Sequence, residues 1–113
     1  QKSLKGSRIL VLGVAYKPDI ADTRESPAVK LISLLRAAGS DVAYHDPHVP
    51  SFEENGLVLS SVALEPSAYD CVVVVTNHSA IDYDRLVEEA ALVVDLRNAT
   101  GANGKGSDKV WKL

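Results

Sequence analysis

The first forty-five residues constrain this chain more than any other stretch. Arg8-Ile9-Leu10-Val11-Leu12-Gly13 is an apolar run closed by glycine, the pattern of a strand buried on both faces. Ser26-Pro27 then announces a helix, because Ser caps helix N-termini and Pro suits the first helical position. Ala28, Leu31, Ile32 and Leu35 recur at helical spacing, with Lys30, Ser33 and Arg36 on the opposite side. Gly39 stands where a left-handed residue ends such a helix, and Asp41-Val42-Ala43-Tyr44-His45 reads as a second strand stopped by Asp46-Pro47. Strand, helix, glycine, strand over so short a span is a βαβ unit, with parallel strands and a right-handed crossover.

Downstream, the pattern blurs from Val49 to Ala68, where Leu57-Val58-Leu59 reads as a short strand and Val62 to Ala68 as a helical turn. Asp70-Cys71-Val72-Val73-Val74-Val75-Thr76 is a β-branched run suited to a central strand. Asp82 to Ala90 follows as a helix with Tyr83, Leu86, Val87 and Ala90 on one face, and Leu92 to Asp95 as another buried strand. Asn98 to Asp108 is rich in Gly, Asn and Ser and reads as a loop, after which Val110-Trp111-Lys112 returns as a strand or a surface segment. The alternation predicts one domain over residues 1–113, a three-layer α/β/α sandwich around a mostly parallel, Rossmann-like sheet, with the tail from about residue 99 partly irregular.

A length of 113 residues, 46% of them hydrophobic and 24% charged, suits a single folded domain. A net charge of -3 argues against nucleic acid as the main partner. The one cysteine has no partner for an internal disulfide, no Cys/His set has metal-ligand spacing, and no apolar run is long enough to span a membrane. The start, Gln1-Lys2-Ser3-Leu4-Lys5-Gly6, lacks an initiator Met and reads as a piece of a longer chain; the expected compartment is the cytoplasm.

In sheets of this kind ligands bind beyond the carboxyl ends of the strands. Tyr16, Lys17 and Arg24 fall in the loop after the first strand, and Arg97 follows the strand ending at Asp95. Lys17 offers a point charge, and Arg24 and Arg97 offer bidentate forks, next to a helix start whose dipole favours anions. That set suits a diphosphate. From the residues alone, solvated loop charges are the favoured reading of Lys17 and Arg24, with Arg24 pairing Asp19, Asp22 or Glu25. Cys71, beside four valines, reads as a buried small hydrophobe rather than a nucleophile. His45 and His48 flank Asp46-Pro47 and read as turn histidines; His78 ends a central strand, where it contacts a ligand or bonds its own loop. Gly13-Val14-Ala15 does not continue as a dinucleotide fingerprint, since Ala stands at 15 and Pro at 18.

The stretch Gly13-Val14-Ala15-Tyr16-Lys17-Pro18-Asp19-Ile20-Ala21-Asp22-Thr23-Arg24-Glu25-Ser26-Pro27-Ala28 closely resembles the opening motif of the C-terminal domain of the UDP-glucose/GDP-mannose dehydrogenase family. Tyr44-His45-Asp46-Pro47 and Val93-Val94-Asp95-Leu96-Arg97-Asn98 are similar as well, in the right order, and the wording is most like the UDP-N-acetylhexosamine branch. Ala21 departs from the pattern, where an Asp is common. The resemblance implies that Tyr16, Lys17 and Arg97 bind a UDP-sugar substrate and that Arg24 reaches toward the phosphates of NAD. It implies that NAD is held mainly by an N-terminal domain of the same chain, which also carries the catalytic cysteine; no residue of the present stretch would then be catalytic, and the stretch alone would be inactive. It further implies a parent enzyme of polysaccharide precursor synthesis, at least dimeric, that oxidises a sugar's primary alcohol to a carboxylate. A free-standing α/β nucleotide-binding or regulatory module is the rival reading, separable by whether a G-x-G-x-x-G turn and a cysteine segment lie upstream.

Overall fold

The computed structural model describes residues 6–14, 27–54, 56–76, 78, 80–96 and 109–112. Five parallel strands form one sheet: β1 (Arg8–Leu12), β2 (Asp41–His45), β5 (Cys71–Val74), β6 (Val93–Asp95) and β7 (Val110–Lys112), in the order β2-β1-β5-β6-β7. Counting parallel strands alone, this is the doubly wound order 2-1-3-4-5, whose switch point lies between β1 and β5. Helix α1 (Pro27–Ala37) joins β1 to β2, and α2 (Tyr83–Glu89) joins β5 to β6. The expected three-layer architecture is therefore present, and its cause lies in strand alternation. Ile9 and Val11 pack into a core with Val29 and Ile32 of α1, while Leu10 and Leu12 pack into a second core with Leu86 and Ala90 near α2. A strand that feeds both cores has no polar face, which is why β1 reads as an unbroken apolar run.

Helix α1 ends as its glycine requires. Gly39 takes φ +95°, its N–H donates to the Arg36 carbonyl at 3.0 Å, and Ser40 N–H donates to the Leu35 carbonyl at 3.1 Å. These two bonds are the Schellman pair, and they free the chain to enter β2 directly. Helix α2 starts at Asp82, whose side chain accepts from Arg85 N–H at 3.1 Å.

Between β2 and β5 the connection is not a helix. It is an antiparallel hairpin, β3 (Ser51–Glu54) and β4 (Leu57–Ser60), followed by a single 3-10 turn at Pro66–Ala68. Strand β4 matches the sequence expectation; β3 was not expected, and the predicted turn over 62–68 is confined to its last three residues. Phe52 on β3 is buried against the Tyr44 ring, with centroids 5.1 Å apart, so the hairpin lids the α1-side core at the carboxyl end of β2.

Two residues lock these strand ends together. Gly13 has φ +86°, and a Cβ there would lie 2.6 Å from Thr76 Cβ and 2.9 Å from Thr76 N, so only glycine lets the ends of β1 and β5 come this close. Tyr44 is fully buried and its hydroxyl donates to the Val49 carbonyl at 2.8 Å, closing the turn after β2. Burial, reinforced by the nearby Asp46 carboxylate, pushes the phenol up to about 12.

Gly13→Ala combines a clash with a strained backbone and is expected to destabilise the domain by about 3 kcal/mol in denaturant unfolding. Gly56→Ala, at φ +80° with open space around it, carries the strain alone and should cost about 1 kcal/mol; equal losses would show that Thr76 gives way. For Tyr44 the folded chain holds the proton more tightly than the unfolded chain. The resulting stability is fully present below the ordinary phenol value near pH 10 and falls as pH rises to about 12. Denaturation midpoints of the unaltered domain should thus drop more steeply between those pH values than midpoints of Tyr44→Phe. Parallel curves would remove Tyr44 as the cause.

Candidate functional site

The carboxyl ends of β1, β5 and β6 define where a ligand would sit. Leu12 pairs in register with Val74, and Val74 with Asp95, so the three strands end in one row. Neighbouring strands lie about 4.8 Å apart, which puts the chain exits after β1 and β6 about 10 Å from each other, with β5 between them. Tyr16, Lys17, Arg24 and Arg97, the four residues singled out from the sequence, lie outside the described residues. Their anchors do not. Val14, two residues before Tyr16, is fully buried; Leu96, next to Arg97, donates its N–H to the Val74 carbonyl at 3.0 Å; and Pro27, three residues past Arg24, opens α1. Covalent geometry limits Lys17 to within about 11 Å of Val14 along the chain. Both loops therefore spring from the same edge, on either side of the switch point.

Beneath that edge lies a buried polar knot. Asp46 is 2% exposed and His78 fully buried, and His78 Nε2 sits 2.9 Å from Asp46 Oδ2. The same oxygen accepts from Val14 N–H at 2.8 Å, and the other, Oδ1, accepts from His48 N–H at 2.8 Å. Ser61 Oγ accepts from Asp46 N–H at 3.0 Å. Three donors thus converge on one carboxylate, an arrangement that suits the acceptor-only, ionised form and requires His78 to carry its proton on Nε2. The His48 ring packs on the His78 ring with centroids 4.9 Å apart. The backbone N–H of His78 donates to Tyr83 Oη at 2.9 Å, which fixes the segment after β5 to the first turn of α2.

The knot also uses up the backbone of the first turn. Gly13 N–H donates to the His45 carbonyl at 3.0 Å and Val14 N–H to Asp46, while Thr76 fills the space beside Gly13. In a dinucleotide-binding turn those N–H groups and that space serve the pyrophosphate. The described residues do not fit such a site, which agrees with the missing glycines at 15 and 18.

The other chemistry-bearing residues have structural surroundings. Cys71 lies in β5, partly buried, and burial followed by the Asp70 carboxylate pushes its thiol up, away from the thiolate a nucleophile needs. His45 closes β2 and its Nδ1 meets the Val62 carbonyl at 2.7 Å, so it is a strand-end residue rather than a turn residue; His48 does lie in the turn. No three His, Cys, Asp or Glu side chains converge as a metal set among the described residues, and no helix among them is long and apolar enough to cross a membrane. Sequence reasoning missed Asp46 as anything beyond a turn marker. It sits inside the Tyr-His-Asp-Pro wording, but its partner His78 is 32 residues away.

Similarity to known proteins agrees with this geometry. Residues 10–102 match the family model described as the UDP-glucose/GDP-mannose dehydrogenase family, UDP binding domain. The chain is 34% identical over 104 residues to a UDP-glucose 6-dehydrogenase of Rhizobium meliloti, covering 84% of this chain and 24% of that protein. It is 30% identical over 118 residues to a UDP-N-acetyl-D-mannosamine dehydrogenase of Methanococcus vannielii, covering 97% and 26%. Among solved structures, an NDP-N-acetyl-D-galactosaminuronic acid dehydrogenase from Methanosarcina mazei superposes with a TM-score of 0.76 at 27% identity, covering 99% of this chain and 25% of that one. The chain thus spans about a quarter of the length of these relatives. With its sheet and most of its length in agreement, the chain belongs to the UDP-glucose/GDP-mannose dehydrogenase family, as its UDP-binding domain.

Proposed function

We propose that this domain holds the nucleotide of a UDP-sugar within an NAD-dependent 6-dehydrogenase, the sugar being an N-acetylhexosamine or glucose whose C6 alcohol becomes a carboxylate. The observation that carries the reading is the row Leu12–Val74–Asp95: within a family of UDP-binding domains, it starts the Lys17 and Arg97 loops about 10 Å apart over one crevice. Lys17 supplies a point charge to the diphosphate and Arg97 a planar fork from the far side, with Tyr16 against the nucleotide sugar. Their charges are needed because the N–H groups of Gly13 and Val14 are committed inside the fold.

Bound NAD would supply the hydride acceptor for the sugar. The described residues do not build its site, so its pyrophosphate is assigned to an N-terminal domain of the same protein, with Arg24 contributing from this side. Relatives that act on UDP-glucose and on UDP-N-acetyl-D-mannosamine support the substrate class, and the Tyr-Lys-Pro-Asp and His-Asp-Pro wording favours the N-acetylhexosamine. The 113-residue chain alone is then a binding module without turnover.

Amide-shift NMR of the domain titrated with UDP, UDP-N-acetylglucosamine and GDP checks this reading. Saturable shifts are expected in residues 14–27 and 96–99, larger with the uridine ligands. Lys17→Ala should weaken UDP binding by about 10- to 100-fold, the scale of a hydrogen bond to a charged group. Shifts confined to other surfaces, or unchanged affinity in Lys17→Ala, would overturn the assignment.

A further inference from the structure

We infer that Asp46 and His78 are positioning residues for UDP-sugar binding, acting through the backbone of Val14 on the loop that carries Tyr16 and Lys17; this rests on the function proposed above. Asp46 receives Val14 N–H and His78 Nε2 on a single oxygen, at 2.8 and 2.9 Å. The first of these bonds is made by the last described residue before the Tyr16–Lys17 loop, and the second comes from beyond β5, across the switch point.

Burial gives the arrangement its stiffness. Neither side chain exposes more than 2% of its surface, so no water stands ready to replace a lost donor, and hydrogen bonds at this depth are costly to break. The Asp46 backbone and side chain are themselves fixed from two directions, by Ser61 Oγ and by His48 N–H, so the carboxylate cannot follow if Val14 moves. His78 is held in turn by its N–H on Tyr83 Oη. Val14 therefore sits at the end of a rigid chain of contacts running from α2 through β5 to the turn after β2. Rotation of the backbone there swings the residues that follow it most closely, whereas Arg24 belongs to the other end of the connection, three residues before Pro27 opens α1. A Lys17 charge three residues further on is displaced by ångströms, enough to lose a diphosphate contact that tolerates about 0.5 Å.

Neither residue touches the substrate in this account. Their effect must appear in nucleotide-sugar affinity and not in the chemical step.

The test uses the full-length protein. His78→Leu keeps bulk but removes the donor; His78→Gln returns an N–H donor to about the position of Nε2. With folding verified by thermal melting, His78→Leu is expected to raise KM for the nucleotide sugar about tenfold, leaving KM for NAD and kcat within about twofold, and His78→Gln to restore most of the loss. In the Lys17→Ala/His78→Leu double variant the two losses should be clearly less than additive, because His78 acts largely through the Lys17 contact. Unchanged KM in folded His78→Leu, additive losses in the double variant, or equal losses in kcat and in KM for NAD would each overturn the inference. If Lys17→Ala raises KM and His78→Leu does not, the inference fails while the UDP-sugar site stands; if Lys17→Ala has no effect, the site reading itself fails. Should His78→Leu not fold, NMR of the unaltered protein decides: UDP must shift both the Val14 amide and the His78 Nε2–H signals, and silence at both refutes the coupling.

Discussion

The carboxylate of Asp46 is the point on which the ligand-facing edge of this domain depends. A charge with almost no solvent exposure is costly to bury, and it persists only where donors replace the water it has lost. Here they come from three separate places in the sequence: Val14 after β1, His48 in the turn after β2, and His78 after β5. A sheet fixes its strands laterally through the ladder bonds, but the ladder ends at Leu12, His45 and Val74. Past those residues single backbone bonds continue, from Gly13 N–H to the His45 carbonyl and from Val75 N–H to the Leu12 carbonyl, and the side-chain network adds to them. The buried carboxylate extends the order of the sheet to two, three and four residues past the three strand ends, at Val14, His48 and His78.

The same economy of backbone groups explains how this turn differs from a dinucleotide-binding turn on a similar sheet. Such a turn leaves its N–H groups pointing outward, with glycines that let a pyrophosphate approach. In the present fold Thr76 occupies the approach to Gly13, and the N–H groups of Gly13 and Val14 bond to the His45 carbonyl and to Asp46. An anion at this edge must then be met by side chains. That requirement gives physical sense to cations in the loops of a chain with a net charge of -3, and to Ala and Pro in place of glycine at positions 15 and 18.

Much of the fold was legible because its signals are local. The run Arg8–Leu12, the stripe of α1, the αL position of Gly39 and the four valines after Cys71 each announce their structure within a dozen residues. The hairpin was half legible: Leu57 to Leu59 has strand character, but its partner is Ser51–Glu54, where two acidic residues and a single aromatic give no periodicity to read. Its clearest mark is Asn55-Gly56, a hairpin dipeptide whose glycine takes φ +80°. The site divides along the same line. Lys17 and Arg97 were picked out by type and by their place after strands, whereas nothing in the residues near Asp46 or His78 announces a pair separated by 32 positions. Tertiary hydrogen bonds of that kind follow from topology, since β1 lies between β2 and β5, and cannot be read from spacing.

Topology also decides which histidine could serve. His45, His48 and His78 are alike in the sequence, each close to a strand end. His45 faces the connecting segment and bonds the Val62 carbonyl, on the edge strand away from the switch point. His48 contributes its backbone N–H to the carboxylate and its ring to the His78 ring. Only His78 emerges from the strand that flanks β1 on the side where the winding reverses, so only its ring can reach under the β1 turn to the carboxylate from the far side. The switch point of a doubly wound sheet is usually described as a crevice in which a ligand fits because the helices diverge. In this domain the switch point is bridged by buried side chains. Asp46 and His78 join the turn after β1 to the segment after β5 there, and the chain leaves β1 and β6 on either side of that junction.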